Sequence, residues 1–93
     1  MNKRTEVLYE ADAAVNGSRQ KEYGKIEDSF RAIADLWSVY LGKEILPLDV
    51  AIMMTLLKVA RIQSAPGAPT EDSFVDACGY VACAAEIALR EED

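Results

Sequence analysis

Residues 47–63 read PLDVAIMMTLLKVARIQ, and this stretch decides the fold. Its apolar side chains recur every three or four residues, which is typical of an α-helix. Pro47 suits the first turn of such a helix, where its missing N–H is not needed. The sequence therefore predicts a helix that is apolar nearly all round, lying in the centre of a bundle or across a subunit interface. One face carries Val50, Met53, Met54, Leu57 and Ala60, and much of the rest is covered by Ile52, Leu56 and Val59.

Three further segments have helical periodicity, and glycines and prolines separate them. The first runs from about Lys3 to Val15, and Asn16-Gly17 predicts a left-handed C-cap. The second runs from about Ile26 to Leu41 and ends at Gly42. The fourth follows a loop rich in proline and glycine over residues 63–69 and begins at Thr70 as N-cap. We therefore expect one all-α domain over residues 1–93, a small four-helix bundle in which antiparallel neighbours are joined by short loops.

The fourth helix is predicted to carry an apolar stripe surrounded by small residues. Small side chains let another helix approach closely. A chain of 93 residues has a thin core, so we expect a homo-oligomer formed through helices three and four. A bundle that closes on itself as a monomer is the alternative. The stripe consists of Phe74, Cys78, Val81, Ala85 and Ala88.

Composition excludes several classes of function. Ten basic and sixteen acidic residues give a net charge of −6, which repels a DNA or RNA polymer. No apolar run reaches the roughly 18 residues of a membrane span, so we expect no membrane partner and a cytoplasmic location. The absence of histidine excludes Ser-His and Cys-His nucleophile pairs and the usual zinc sites. Cys78 and Cys83 are interpreted as small buried residues.

Residues 16–25 form a local concentration of positive charge in this acidic chain. Arg19 and Lys21 can bind phosphate, and Tyr23 offers a ring face to a base. Gly24 frees the backbone to turn. These residues outline a site for an anion and a ring, although a solvated loop between helices is the alternative that composition alone favours.

A second polar group is predicted on helices three and four. Lys58 and Arg61 lie one turn apart, where cations also favour the negative end of the helix dipole. Asp72, Asp76 and Tyr80 share one face of helix four. The two carboxylates could ligate a cation or hold a basic side chain in position.

Four motifs follow one another along the chain: RxxxYG at 19–24, EDSFxxIAxLW at 27–37, DVAxMMxLLKxAR at 49–61 and DSxxDxxGY at 72–80. With these motifs the chain resembles a family of short phage and prophage proteins of unknown function. The order of these motifs is also similar to the all-α MazG-like nucleoside triphosphate pyrophosphohydrolases. That similarity implies a site that converges on a nucleotide. The expected ligand-binding residues are Arg19, Lys21, Tyr23, Gly24, Trp37, Lys58, Arg61, Asp72, Asp76 and Tyr80.

The chain departs from the hydrolase pattern at the magnesium ligands. Those enzymes use Glu-x-x-Glu and Glu-x-x-Asp pairs, whereas Glu27 and Asp28 are adjacent here and Phe30 and Arg31 follow. We therefore expect a phage protein without catalytic residues, metal or cofactor. It would sequester a nucleotide, such as a cyclic or ADP-ribose-type immune signal, in the host cytoplasm. The alternative is a magnesium-dependent pyrophosphohydrolase that uses Asp72 and Asp76, and a third possibility is an interaction protein that docks helix three on a host target.

Overall fold

The computed structural model describes residues 1–17 and 25–89, which form four α-helices and no β-strand. The predicted all-α fold of four helices is therefore confirmed. No helix in the described part of the chain is long and apolar enough to cross a bilayer. The helices are α1 (Lys3–Asn16), α2 (Ile26–Leu41), α3 (Pro47–Ser64) and α4 (Glu71–Ala88).

Local signals explain most of the helix ends. The Asn2 side chain accepts a hydrogen bond from the Thr5 N–H at 2.9 Å and caps α1. Gly42 ends α2 in the left-handed conformation with φ 69°. Pro47 opens α3, and the Asp49 carboxylate accepts the Leu46 N–H at 2.9 Å.

Two predicted caps differ from the structure. Gly17 is extended, with φ −93° and ψ −153°, so the left-handed cap expected there is wrong. A Cβ at Gly17 would instead collide with the carbonyl oxygen of Ala13, which explains why glycine fits this position. Thr70 does stand at the N-cap of α4, but its side chain does not cap the backbone. Its hydroxyl lies 3.3 Å from the Ser73 hydroxyl.

The hairpin of α3 and α4 forms the centre of the structure, with α1 packed on α4 and α2 packed on α3. Lys3 and Glu71 meet near the start of α1 and α4, and Val15 approaches Gly79 farther along both helices. α1 and α4 therefore run in the same general direction. The pairing depends on residues about 65 positions apart, which local sequence does not determine.

The core of the single chain is small. Among the described residues, Val50 is the one large side chain that is fully buried, with 0% of its surface exposed. Sixteen large apolar side chains of residues 1–17 and 25–89 remain exposed, from Val59 at 40% to Tyr40 at 88%. Most large apolar side chains of the described residues thus lie outside the core, because a thin bundle cannot enclose them by itself.

The buried face of α4 is not the predicted apolar stripe. Phe74 and Val81 are 41% and 51% exposed, and Cys78 is half-buried, so only Cys83 fits the interpretation of two buried thiols. Small and apolar residues cover most of α4 outside its Asp72–Asp76–Tyr80 face, and periodicity therefore does not show which part of that surface is buried. The residues that are buried are Ser73, Val75, Gly79, Cys83 and Ala84.

Candidate functional site

A partly buried ion pair joins α3 to α4. The Lys58 Nζ atom lies 3.0 Å from Asp76 Oδ2, and the two side chains are 14% and 34% exposed. Lys58 lies on the inner side of α3 and Asp76 on the side of α4 that faces it, because the two helices pack as a hairpin. The interpretation that a carboxylate of α4 holds a lysine of α3 is confirmed for this pair.

An aromatic contact joins α2 to α4 close to this ion pair. The rings of Phe30 and Tyr80 have centroids 6.4 Å apart and planes tilted by 38°. This separation lies within the range over which aromatic rings attract each other. Tyr80 follows Asp76 by one turn on the same face of α4, so the rings lie about one helical turn from the ion pair. We refer to Phe30, Lys58, Asp76 and Tyr80 as the central cluster.

The remaining predicted ligand residues stand apart from the central cluster or outside the described residues. Trp37 is half-buried on α2, two turns beyond Phe30. Arg61 is exposed one turn beyond Lys58, and Asp72 is exposed one turn before Asp76. Asp72 and Asp76 lie one turn apart on α4, and Asp76 is paired with Lys58. The four residues outside the described part of the chain are Arg19, Lys21, Tyr23 and Gly24.

A surface network of charges at the start of α1 and α4 was not predicted from the sequence. Lys3 Nζ lies 2.7 Å from both Glu6 Oε2 and Glu71 Oε1. The pKa of Glu71 is lowered, chiefly by its hydrogen bond with Lys3. The pKa of Glu10 is raised, because its carboxyl group shares a hydrogen bond with Glu71 and the two charges repel. The Lys3–Glu6 spacing is a local signal, but nothing in the sequence indicates the contact with Glu71.

An open apolar groove runs between α1 and α4 and has a volume of about 740 Å³. Val7 and Leu8 of α1 line one side, and Phe74 and Cys78 of α4 line the other. The groove is therefore lined in part by Phe74 and Cys78, which were predicted to lie in the apolar stripe of the fourth helix. It lies on the α1 side of α4 and takes in none of the residues of the central cluster.

The described residues offer no ready metal site. No three or more Asp, Glu or Cys side chains of residues 1–17 and 25–89 converge in a geometry that could hold a metal ion. Asp76 is engaged with Lys58, and Asp72 points to solvent. The cluster offers one cation, one carboxylate and two rings, a set suited to binding an aromatic anion.

The chain belongs to the family described as "Domain of unknown function (DUF6378)", whose model matches residues 6–88. It is 42% identical over 81 residues to the Gene 55 protein of Mycobacterium phage D29, covering 87% of this chain and 52% of that protein. It is 36% identical over 88 residues to the Gene 55 protein of Mycobacterium phage L5, covering 94% and 55%. The chain thus spans about half the length of these curated relatives. No solved structure matches it.

The comparisons confirm the predicted resemblance to a phage protein family of unknown function. The similarity to MazG-like hydrolases stays a prediction.

Proposed function

We propose that the chain binds a nucleotide at the central cluster, with a phosphate at Lys58 and the base against Phe30 and Tyr80. The observation that carries this proposal is the position of Lys58, whose side chain is only 14% exposed. Lysine is rarely buried to this extent unless a partner or a ligand requires its charge. Asp76 is such a partner, and its own side chain is 34% exposed.

The charge arrangement at Lys58 suits a phosphate. An ammonium group carries three N–H donors, and Asp76 occupies one of them. The carboxylate fixes the position of Nζ, so that less side-chain entropy is lost when a phosphate binds. Arg61 adds a second cation one turn away at the same end of α3. In a protein with a net charge of −6, these cations are a local exception that attracts an anion.

The rings beside Lys58 suit a base. Every nucleobase has a face that stacks on an aromatic ring, and such stacking contributes about 1–3 kcal/mol per base. Phe30 and Trp37 lie seven residues apart on α2 and therefore on the same face, with about 10 Å between them along the axis. A base at Phe30 and Tyr80 would thus have a third ring within reach of its sugar or of a second base.

Binding without turnover is the form of the proposal that the acidic residues support best. Magnesium-dependent phosphoryl transfer uses carboxylates that converge on the metal. Here Asp76 is paired with Lys58, and Asp72 is exposed one turn away. The ion pair with Lys58 therefore competes with any role of Asp76 as a magnesium ligand. Arg19, Lys21, Tyr23 and Gly24 stay predictions from the sequence and carry none of this argument.

The relatives support a phage setting for this activity. A protein that binds a nucleotide stoichiometrically lowers its free concentration, and a phage benefits from this when the nucleotide is a signal of host defence. We therefore include cyclic and ADP-ribose-type nucleotides among the ligands to test. The proposal places the protein in the host cytoplasm during infection.

The test is to incubate the purified protein with single nucleotides, remove free ligand, denature the complex and identify what is released by mass spectrometry. Cyclic dinucleotides, cyclic ADP-ribose and deoxynucleoside triphosphates are the probes, each with and without magnesium. Recovery of intact ligand supports sequestration. Recovery of a monophosphate and pyrophosphate supports the hydrolase instead, and recovery of nothing from any probe contradicts both.

A charge-matched pair of variants tests the position of the site. Lys58→Met keeps the length of the side chain but removes its charge, and we expect at least a tenfold loss of affinity for the identified ligand. Lys43→Met removes the same charge from an exposed position in the connection between α2 and α3. It should bind as the unaltered protein does. Equal losses in the two variants would show a general effect of charge and would exclude Lys58 as the phosphate contact.

A further inference from the structure

The middle of the outer face of α3 is an exposed apolar surface without charge. It consists of Ile52, Met53, Leu56, Leu57, Val59 and Ala60, and its five large side chains are 40–59% exposed. The opposite side of the helix faces the core through Val50 and Ala51, which are fully buried. A contiguous apolar surface of this kind marks an interaction site.

The ends of this face are polar and are placed symmetrically. Asp49, Leu56 and Gln63 are spaced by seven residues, so they lie on one line along α3. Asp49 and Gln63 are both exposed, and Leu56 is halfway between them. We propose that a second copy of this chain packs on the outer face of α3, with the two α3 helices antiparallel and a two-fold axis at Leu56.

The antiparallel arrangement follows from the polar ends. It brings Asp49 against Gln63 of the partner subunit, where an amide N–H can donate to a carboxylate oxygen. It also places Ile52 opposite Ala60 of the partner subunit, so a large side chain meets a small one. A parallel arrangement would oppose two Asp49 carboxylates, and like charges at an interface are unfavourable. Two-fold contacts of this type are self-complementary and close on themselves as dimers.

The net charge of the chain and the area of its exposed apolar surface support a second copy as the partner that covers the outer face of α3. Two chains of net charge −6 repel each other, and an uncharged face is where this repulsion opposes their association least. A standard interface buries about 800 Å² on each partner, which is more than one helix face provides. Leu41 and Leu46, beside the start of α3, are 50% and 49% exposed and can extend the contact. The small core gives the association a stabilising role, because it would cover apolar surface that the single chain leaves in water.

The test is sedimentation velocity of the full chain at tens of micromolar. We expect a dimer, or a larger even-numbered assembly, for the unaltered protein. Leu56→Glu places two carboxylates at the axis and should raise the dissociation constant at least tenfold. Leu8→Glu is the matched control, because Leu8 is 63% exposed on α1, away from the proposed contact. It should assemble normally, and circular dichroism should show equal helicity in both variants.

A monomeric unaltered protein would overturn the proposal and leave the face for a different partner. Assembly that survives Leu56→Glu, or that Leu8→Glu disrupts equally, would also overturn it. A second variant covers the case in which Leu56→Glu does not fold. Leu56→Cys, made with Cys78→Ala and Cys83→Ala, should form a disulfide-linked dimer on oxidation, since the axis brings the two sulfur atoms together. Failure to cross-link would contradict a two-fold axis at Leu56.

Discussion

Val15 of α1 packs directly over Gly79 of α4. A Cβ atom added to Gly79 would lie 3.2 Å from Cγ1 of Val15, closer than ordinary van der Waals contact. This contact sets how closely the first helix can approach the last. A larger side chain at position 79 would hold α1 and α4 farther apart, so the glycine allows their close packing.

We predict a size-dependent cost at Gly79. Gly79→Ala should change the unfolding free energy by less than about 1 kcal/mol, because the gain in helix propensity offsets the close contact. Gly79→Leu should destabilise by about 1–3 kcal/mol, because it overpacks the α1–α4 contact. Urea unfolding followed by circular dichroism measures both. In a Val15→Ala background, Gly79→Ala should become stabilising, and a protein unaffected by Gly79→Leu would contradict the close approach.

We predict that Gly42 and Gly67 respond differently to alanine. An added Cβ would meet nothing within 4 Å at either position, but of these two glycines Gly42 alone has a positive φ, of 69°. Gly42→Ala should therefore destabilise by about 1–2 kcal/mol through backbone strain alone. Gly67→Ala should be neutral or stabilise by up to about 1 kcal/mol, since it restricts the unfolded chain. Equal melting temperatures for the two variants would contradict the left-handed cap of α2.

The sequence predicts the extent of the helices better than their faces. Gly42 and Pro47 bound α2 and α3 as expected, because caps depend on residues that are close in the chain. Val81 was expected in the apolar stripe of α4 but is 51% exposed, whereas Gly79 is buried. The face of α4 that is buried depends on the approach of α1, and small or apolar residues cover most of α4 outside the Asp72–Asp76–Tyr80 face, so its periodicity leaves the choice open.

In the candidate site, too, the sequence indicates one contact and misses another. Lys58 and Asp76 lie 18 residues apart on consecutive helices. The sequence therefore predicts an ion pair between a carboxylate of α4 and a basic side chain as one of two roles for Asp76, the other being to ligate a cation. The Phe30–Tyr80 contact spans 50 residues and depends on how α2 lies across the hairpin. Such a contact has no local signal, which explains why the sequence indicated Tyr80 as a ligand residue but not its neighbour Phe30.

We predict that Glu10→Gln stabilises the protein at neutral pH and that the gain disappears in acid. The pKa of Glu10 is raised, mainly through Glu71, so the folded state disfavours its ionised form and stability falls as pH rises through that pKa. Glu71→Gln should act oppositely. The pKa of Glu71 is lowered by Lys3, so its contribution is present above the ordinary carboxyl range and is lost as pH falls. Thermal unfolding from pH 3 to pH 8 measures both effects.

Glu44→Gln is the control for this comparison, because it removes one negative charge from an exposed position in the connection between α2 and α3. It should shift the melting temperature little across the whole pH range. A pH profile of Glu10→Gln that parallels the unaltered protein would show that Glu10 and Glu71 do not interact in solution.

We predict that nucleotide binding does not depend on metal. If Lys58 supplies the positive charge and Asp76 only holds it, adding EDTA should change the dissociation constant less than twofold. If Asp72 and Asp76 hold magnesium, chelation should weaken binding tenfold or more, about 1.4 kcal/mol. Isothermal titration of the identified ligand with and without EDTA distinguishes the two. A tenfold loss would favour the pyrophosphohydrolase over sequestration.

The last prediction concerns the coupling between Lys58 and Asp76. Removing Lys58 as Lys58→Met leaves a partly buried carboxylate without its partner, which costs on the order of 1–3 kcal/mol in general. Because Asp76 is 34% exposed and water can solvate it, we expect about 1 kcal/mol here. Asp76→Asn should cost less in the Lys58→Met background than in the unaltered protein, because the charge it removes no longer has a partner there. Urea unfolding of the four proteins gives the coupling energy, about 0.5–1.5 kcal/mol if the pair acts as a unit. A coupling near zero would mean that the ion pair does not hold Lys58 in place, and the proposed phosphate contact would then lose its main support.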